Sequence, residues 1–200
     1  MLSRLRKASI LLIVLVSGAI APGQPARFLG GEDLPQLLID SSVAADFRAL
    51  ALETWDQFLR VFSARRGCFG DVHLRADRNL KDRATYDPAT ATVSVRVPGT
   101  TAMLQGALVH EWAHHLEFQC AAQEQLRKAF LLAQGMPEDT TWRTIETPKM
   151  PAIDWAEVPS EQYAEATIAL VLGGRSIPTG ARITTQAVAV IGQWASGSSP

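Results

Sequence analysis

The segment Ala107-Leu108-Val109-His110-Glu111-Trp112-Ala113-His114-His115-Leu116 decides how this chain is read. It contains H-E-x-x-H, with His110 and His114 four positions apart and Glu111 directly after the first. On a helix, residues so spaced lie one above the other on the same face. Two imidazoles placed there reach one tetrahedral cation, and the pattern predicts a single Zn²⁺ per chain. Glu111, beside them, is the expected base for a metal-activated water. Met103, Leu104, Ala107, Leu108 and Leu116 recur at helical spacing, with Thr100 or Thr101 after Pro98-Gly99 as the expected N-cap.

Working outward, Val43, Phe47, Leu50, Trp55, Phe58, Leu59 and Phe62 form a broad apolar face. They predict a helix to about Ala64, capped by Ser41 or Ser42 and packed on the motif helix. Between the two helices, residues 71–76 alternate polar and apolar, as a half-buried strand does. Residues 84–86, the turn Asp87-Pro88-Ala89-Thr90 and residues 91–97 read as strand, turn, strand. The fold class expected is α+β: a small antiparallel sheet leading into the H-E-x-x-H helix, with further helices behind. An edge strand beside that helix could hold an extended peptide by main-chain hydrogen bonds. His73, alone in a strand, reads as an ordinary surface or core residue.

After Cys120 the helical style continues to Gln134 and breaks at Gly135-Met136-Pro137. Residues 137–159 are proline-rich and without long periodicity, yet carry Trp142 and Trp155. A loop of that length is usually functional or packed by its own aromatics, and it is expected near the cleft. A turn at residues 176–180 precedes a last amphipathic helix, Thr184 to Trp194.

Two histidines leave a zinc site one ligand short. The continuation H-E-x-x-H-x-x-G-x-x-H fails, because Glu117 and Cys120 occupy the positions it needs. The segment Pro159-Ser160-Glu161-Gln162-Tyr163-Ala164-Glu165 offers the best alternative, on a helix capped by Ser160 and ended by Gly173-Gly174. Glu161 and Glu165 share a face. One carboxylate can bind the metal while the other accepts the N–H of a ligand histidine. Glu157 and Asp154 are the remaining candidates. For the oxyanion of an acyl-transfer step, Tyr86, His115 or an arginine could serve, whereas Tyr163 should point away from the metal. His115 sits about 100° round the helix from His114 and reads better as a packing residue.

H-E-x-x-H followed by a second helix with E-x-x-x-E resembles the gluzincin branch of zincin metallopeptidases. Glu161-Gln162-Tyr163-Ala164-Glu165 is similar to the E-x-x-A-E of anthrax lethal factor-like peptidases. The resemblance covers two short helices. It implies His110, His114 and Glu161 as metal ligands, Glu111 as general base and Glu165 bonded behind a ligand.

Composition frames the setting. The chain has 200 residues, 47% of them hydrophobic, and a formal charge of −1. That is enough for one good core, and no basic block points to nucleic acid. Arg4, Arg6 and Lys7 precede an apolar run of about 13 residues and then small residues at 17–21. This is the layout of a secretory signal peptide, and it is short of the ~20 residues that span a bilayer. Residues 1–21 are therefore expected to be a signal, 22–40 a leader, 41–195 the domain and 196–200 a flexible tail. Cys68 and Cys120, an even pair in an exported chain, are expected to form one disulfide.

Together these readings predict a secreted or extracytoplasmic zinc metalloendopeptidase acting on a peptide or protein, with a membrane tie only if the N-terminal segment stays uncleaved. The alternative is a non-catalytic exported or membrane-anchored binding protein with a structural or vestigial zinc site. An intact Glu111 argues against it, because a structural site gains nothing from a base and is normally closed by a fourth protein ligand.

Overall fold

Alternating strands and a chain reversal build the sheet. The computed structural model describes residues 34–143, 155–174 and 180–199, all within Glu32–Pro200. The expected signal peptide, residues 1–21, lies outside them. β1 (Leu37–Ile39) leads through α1 (Ala45–Val61) and a 3-10 segment (Ser63–Cys68) to β2 (Val72–Asp77). β3 (Ala84–Asp87) and β4 (Thr92–Arg96) follow as a hairpin. The spatial order is β1-β2-β4-β3.

Three expectations are corrected here. The sheet is mixed, not antiparallel: β1 and β2 are parallel, as are β2 and β4, and only β3–β4 is antiparallel. The helix α1 carries the chain back so that β2 repeats the direction of β1, and β4 slots between β2 and β3. Alternation marks which side chains are buried but carries no strand direction. The leader also ends sooner than residue 40, because Leu37–Ile39 is already the edge strand β1. Finally, neither Ser41 nor Ser42 caps α1. Ser42 Oγ accepts instead from the amide of Ala76 (3.0 Å), tying the helix entry to β2, and α1 starts from Ala44 without a side-chain cap.

One sheet face is wholly apolar. Val72, Leu74, Val93 and Val95 are fully buried, while His73 and Arg75 face outward. Against that face and α1 lies α2 (Thr101–Gln119), capped by the Thr100 hydroxyl, which accepts from the Met103 amide at 3.3 Å. Such a cap stabilises a helix by about 1 kcal/mol. α2 is the centre of the molecule. It buries Leu104, Ala107 to Val109 and the whole run Glu111 to Glu117, and a helix buried on all sides must be packed on all sides. Trp112 makes the contact with α1, at 4.9 Å from the Trp55 ring and 5.7 Å from Phe58.

Behind α2, a 3-10 turn (Ala121–Gln123) leads to α3 (Glu124–Ala133), then α4 (Pro159–Leu172) and α5 (Thr185–Ala195). α4 packs against α2, and α5 closes on α3 and α4. Pro159 occupies the first helical position of α4, where its missing N–H costs nothing. Ser160 is thus inside the helix, not its cap, and its hydroxyl is buried without a partner among the described residues. Gly173, at φ 74°, ends the helix as expected. Beyond α5, Ser196, Gly197 and Ser198 donate amides back to Gly192, Trp194 and Gln193. They satisfy carbonyls that the end of α5 leaves open, through a turn with Gly197 at φ 92°.

Cys68 and Cys120 are bonded, with Cα atoms 4.8 Å apart and a sequence separation of 52. The bridge fastens the C-terminal end of α2 to the 3-10 segment after α1. Closing a loop of that length stabilises by about 4 kcal/mol on the chain-entropy account. Reduction, or Cys68→Ser with Cys120→Ser, is expected to lower stability by up to that amount, read as a drop in the denaturant midpoint. An unmoved midpoint would remove the bridge from the account of stability.

Candidate metal centre

Four residues of spacing on α2 place His110 and His114 one turn apart, with ring centroids 4.8 Å apart. Glu161, in the first turn of α4, meets them across the α2–α4 contact. His110 Nε2 lies 3.0 Å from Glu161 Oε2, His114 Nε2 lies 3.3 Å from the same oxygen, and the two Nε2 atoms are 3.1 Å apart. The edge of a tetrahedron with ligand bonds near 2.0–2.1 Å is about 3.3 Å. The three atoms therefore form a near-equilateral face of the size one bound cation requires. Among the described residues this is the group of His, Cys, Asp and Glu that could hold a metal ion. Their side chains remain 12%, 7% and 16% exposed, so the face is recessed but open.

The three side chains are coupled electrostatically. Burial alone would push the His110 imidazole down, but hydrogen bonds to Glu161 and Glu165 outweigh it and hold it up at about 10. His114 is raised in the same way: burial opposes, while Glu117 and Glu161 prevail. Burial would raise Glu161, yet its bonds from His110 and His114 hold its carboxyl well below the usual carboxylate range. Glu161 is common to all three: its carboxylate raises both imidazoles, and they lower it in return.

The histidines are braced from behind. His110 Nδ1 donates to Glu165 Oε1 at 3.1 Å, so Glu165 stands where the E-x-x-x-E reading puts it. It is itself buried. His114 Nδ1 is 3.1 Å from Glu117 Oε2. Glu117 is a residue that sequence reasoning passed over, treating it only as a mismatch to another motif. Its signal was available: three positions after His114 on the same helix, it is within reach of that ring.

Glu111 is 7% exposed and has no hydrogen-bond partner among the described residues. Burial raises its carboxyl above the ordinary range, while His110, His114 and Arg143 hold it down in part. A buried carboxylate beside two metal-type imidazoles, with its oxygens uncommitted, is chemically able to take up a proton.

The remaining candidates fall elsewhere. His115 is fully buried: its Nε2 donates to Gly70 O (3.0 Å), and its Nδ1 accepts from the Tyr86 hydroxyl (3.0 Å). It is a packing residue, and Tyr86 is committed to it. Tyr163 points away from the metal ligands into the core, against Phe130 and Trp142. Glu157 is exposed, as is His73, and Asp154 lies outside the described residues. Of the two loop tryptophans, Trp155 stacks on His110 at 5.8 Å and 20°, whereas Trp142 is buried on Phe130.

No family model, curated protein or solved structure matches this chain. The geometry stands alone. What it establishes is a His110–His114–Glu161 cluster able to bind a metal, with both histidines on one helix.

Proposed function

We propose that this chain is an exported zinc-dependent peptidase of gluzincin type. The observation that carries the reading is the three-atom face of His110, His114 and Glu161, with the uncommitted carboxylate of Glu111 next to it. The donor set of two imidazoles and one carboxylate suits Zn²⁺, and three protein donors rather than four, as found among the described residues, is the pattern of a catalytic site. Zinc, when bound, supplies acidification of a water and polarisation of a carbonyl. The chain's own residues do the rest. Glu111 takes the proton of the attacking water and returns it to the leaving amine nitrogen, the role its raised affinity for a proton suits. Glu165 and Glu117 hold the rings of His110 and His114 in place.

Two further features support a peptide as substrate. Among the described residues β3 is an edge of the sheet, and it packs against α2, the helix that carries both histidines. An extended peptide can add there as a strand. Export is supported by the signal-like residues 1–21 and by the disulfide, which persists in oxidising compartments. Among the described residues, no helix is long and apolar enough to cross a membrane.

The test is cleavage of a degenerate peptide library by the zinc-loaded protein, with new termini read by mass spectrometry. Cleavage lost on chelation and restored by zinc is the expected result. One bound zinc per chain with no cleavage of any library member would turn the reading toward the non-catalytic alternative.

A further inference from the structure

The contacts behind His114 are richer than bracing one ring requires. Glu117 is buried, and all four of its surrounding donors converge on its two oxygens. Oε1 accepts from Trp142 Nε1 at 2.9 Å and from Arg143 Nε at 3.3 Å. Oε2 accepts from Arg143 Nη2 at 3.0 Å and faces His114 Nδ1 at 3.1 Å. The Arg143 guanidinium also lies over the Phe118 ring, 4.6 Å from its centroid.

One distance makes this cluster more than a brace. Arg143 Nη2 is only 2.8 Å from His114 Nδ1. Arginine is always a donor. If Nδ1 is the acceptor, the ring hydrogen must sit on Nε2, the atom aimed at His110 and Glu161, and that tautomer cannot bind a metal. If Nδ1 carries the hydrogen, Nε2 is free for the metal, and Nη2 must turn its hydrogen to Glu117. Both arrangements fit within the same few tenths of an ångström. The Glu117 carboxylate is the acceptor that both donors can share.

We propose that Glu117 is the positioning residue that keeps His114 in its metal-binding tautomer, and that Arg143 changes from an ally to a competitor when Glu117 is removed. With Glu117 present, Arg143 anchors the carboxylate in a bidentate grip. Without it, Arg143 donates to Nδ1 and sets the wrong tautomer. The inference rests on the metal-site part of the reading above and not on peptidase activity.

The experiment is zinc affinity, measured by chelator competition on the folded full chain, with circular dichroism confirming the fold. Glu117→Met is expected to raise Kd about 10–100-fold, the usual cost of losing such a partner. Glu117→Gln, whose amide oxygen can still accept from Nδ1, should fall between it and the wild type. Arg143→Met alone is expected to weaken binding, by less than Glu117→Met does. In the Glu117→Met background, however, adding Arg143→Met should tighten binding again. That reversal of sign is the signature, since a merely structural pair lowers melting temperature with no such crossing. Unchanged Kd in Glu117→Met, or a double variant that binds no better than Glu117→Met, overturns the proposal while the metal site stands. A wild-type chain that binds no zinc overturns both. The expected pattern without any hydrolysis supports this inference and sinks the peptidase reading alone.

Discussion

Glu111→Gln is expected to bind zinc as the wild type does and to lose hydrolysis by at least 10²–10⁴-fold, the range a positioned general base contributes. The substitution keeps the volume of the side chain and removes only its capacity to take a proton. Glu111 is not part of the His110–His114–Glu161 face, so the metal donors are untouched. Nothing in the packing opposes the change either, since Glu111 makes no hydrogen bond among the described residues. A neutral amide is in fact easier to bury than the carboxylate, whose burial already raises its affinity for a proton. Steady-state cleavage and metal content measured on one preparation separate the two effects. Hydrolysis persisting in Glu111→Gln would rule out this residue as the base.

The second large effect is on the metal itself. His114→Ala or Glu161→Ala removes one corner of a three-atom face whose edges are 3.0, 3.1 and 3.3 Å. Two donors cannot hold a tetrahedral cation against water and buffer, so zinc content is expected to fall below detection in either variant. Glu165→Ala acts differently. It removes the acceptor of His110 Nδ1 and leaves every donor in place, which costs about 10–100-fold in affinity. Elemental analysis after gel filtration therefore ranks the two glutamates of the E-x-x-x-E helix. Metal retained by Glu161→Ala would send the third ligand elsewhere.

Much of the site was legible before the fold was known, because helical periodicity does three-dimensional work over short distances. The i, i+4 spacing puts His110 above His114, and the same spacing puts Glu161 and Glu165 on one face, whatever the helices pack against. The buried alternation of Val93 and Val95, the Thr100 cap and the Gly173 stop were likewise readable from local chemistry alone. Glu117 shows the limit. It follows His114 at i+3 and could have been proposed from spacing, but many solvated helix faces carry such a pair. Its meaning comes from Trp142 and Arg143, which approach only when the chain returns.

The same division runs through the rest of the molecule. Sequence by itself determined the long helices, the β3–β4 hairpin and the pairing of the two cysteines, since each depends on residues close in sequence or on a choice of one, but it missed the short strand β1. Tertiary structure decided the strand directions, for alternation is the same in parallel and antiparallel neighbours. It also placed Glu161 at the two imidazole Nε2 atoms and Glu165 behind His110, through the α2–α4 contact. Periodicity alone leaves Glu161 and Glu165 equivalent, and only the gluzincin resemblance assigned Glu161 as the ligand. They become distinct because α2 meets α4 with Glu161 Oε2 at the two Nε2 atoms and Glu165 Oε1 behind His110, at His110 Nδ1. A difference of one helical turn is invisible to periodicity and large on the scale of a metal bond.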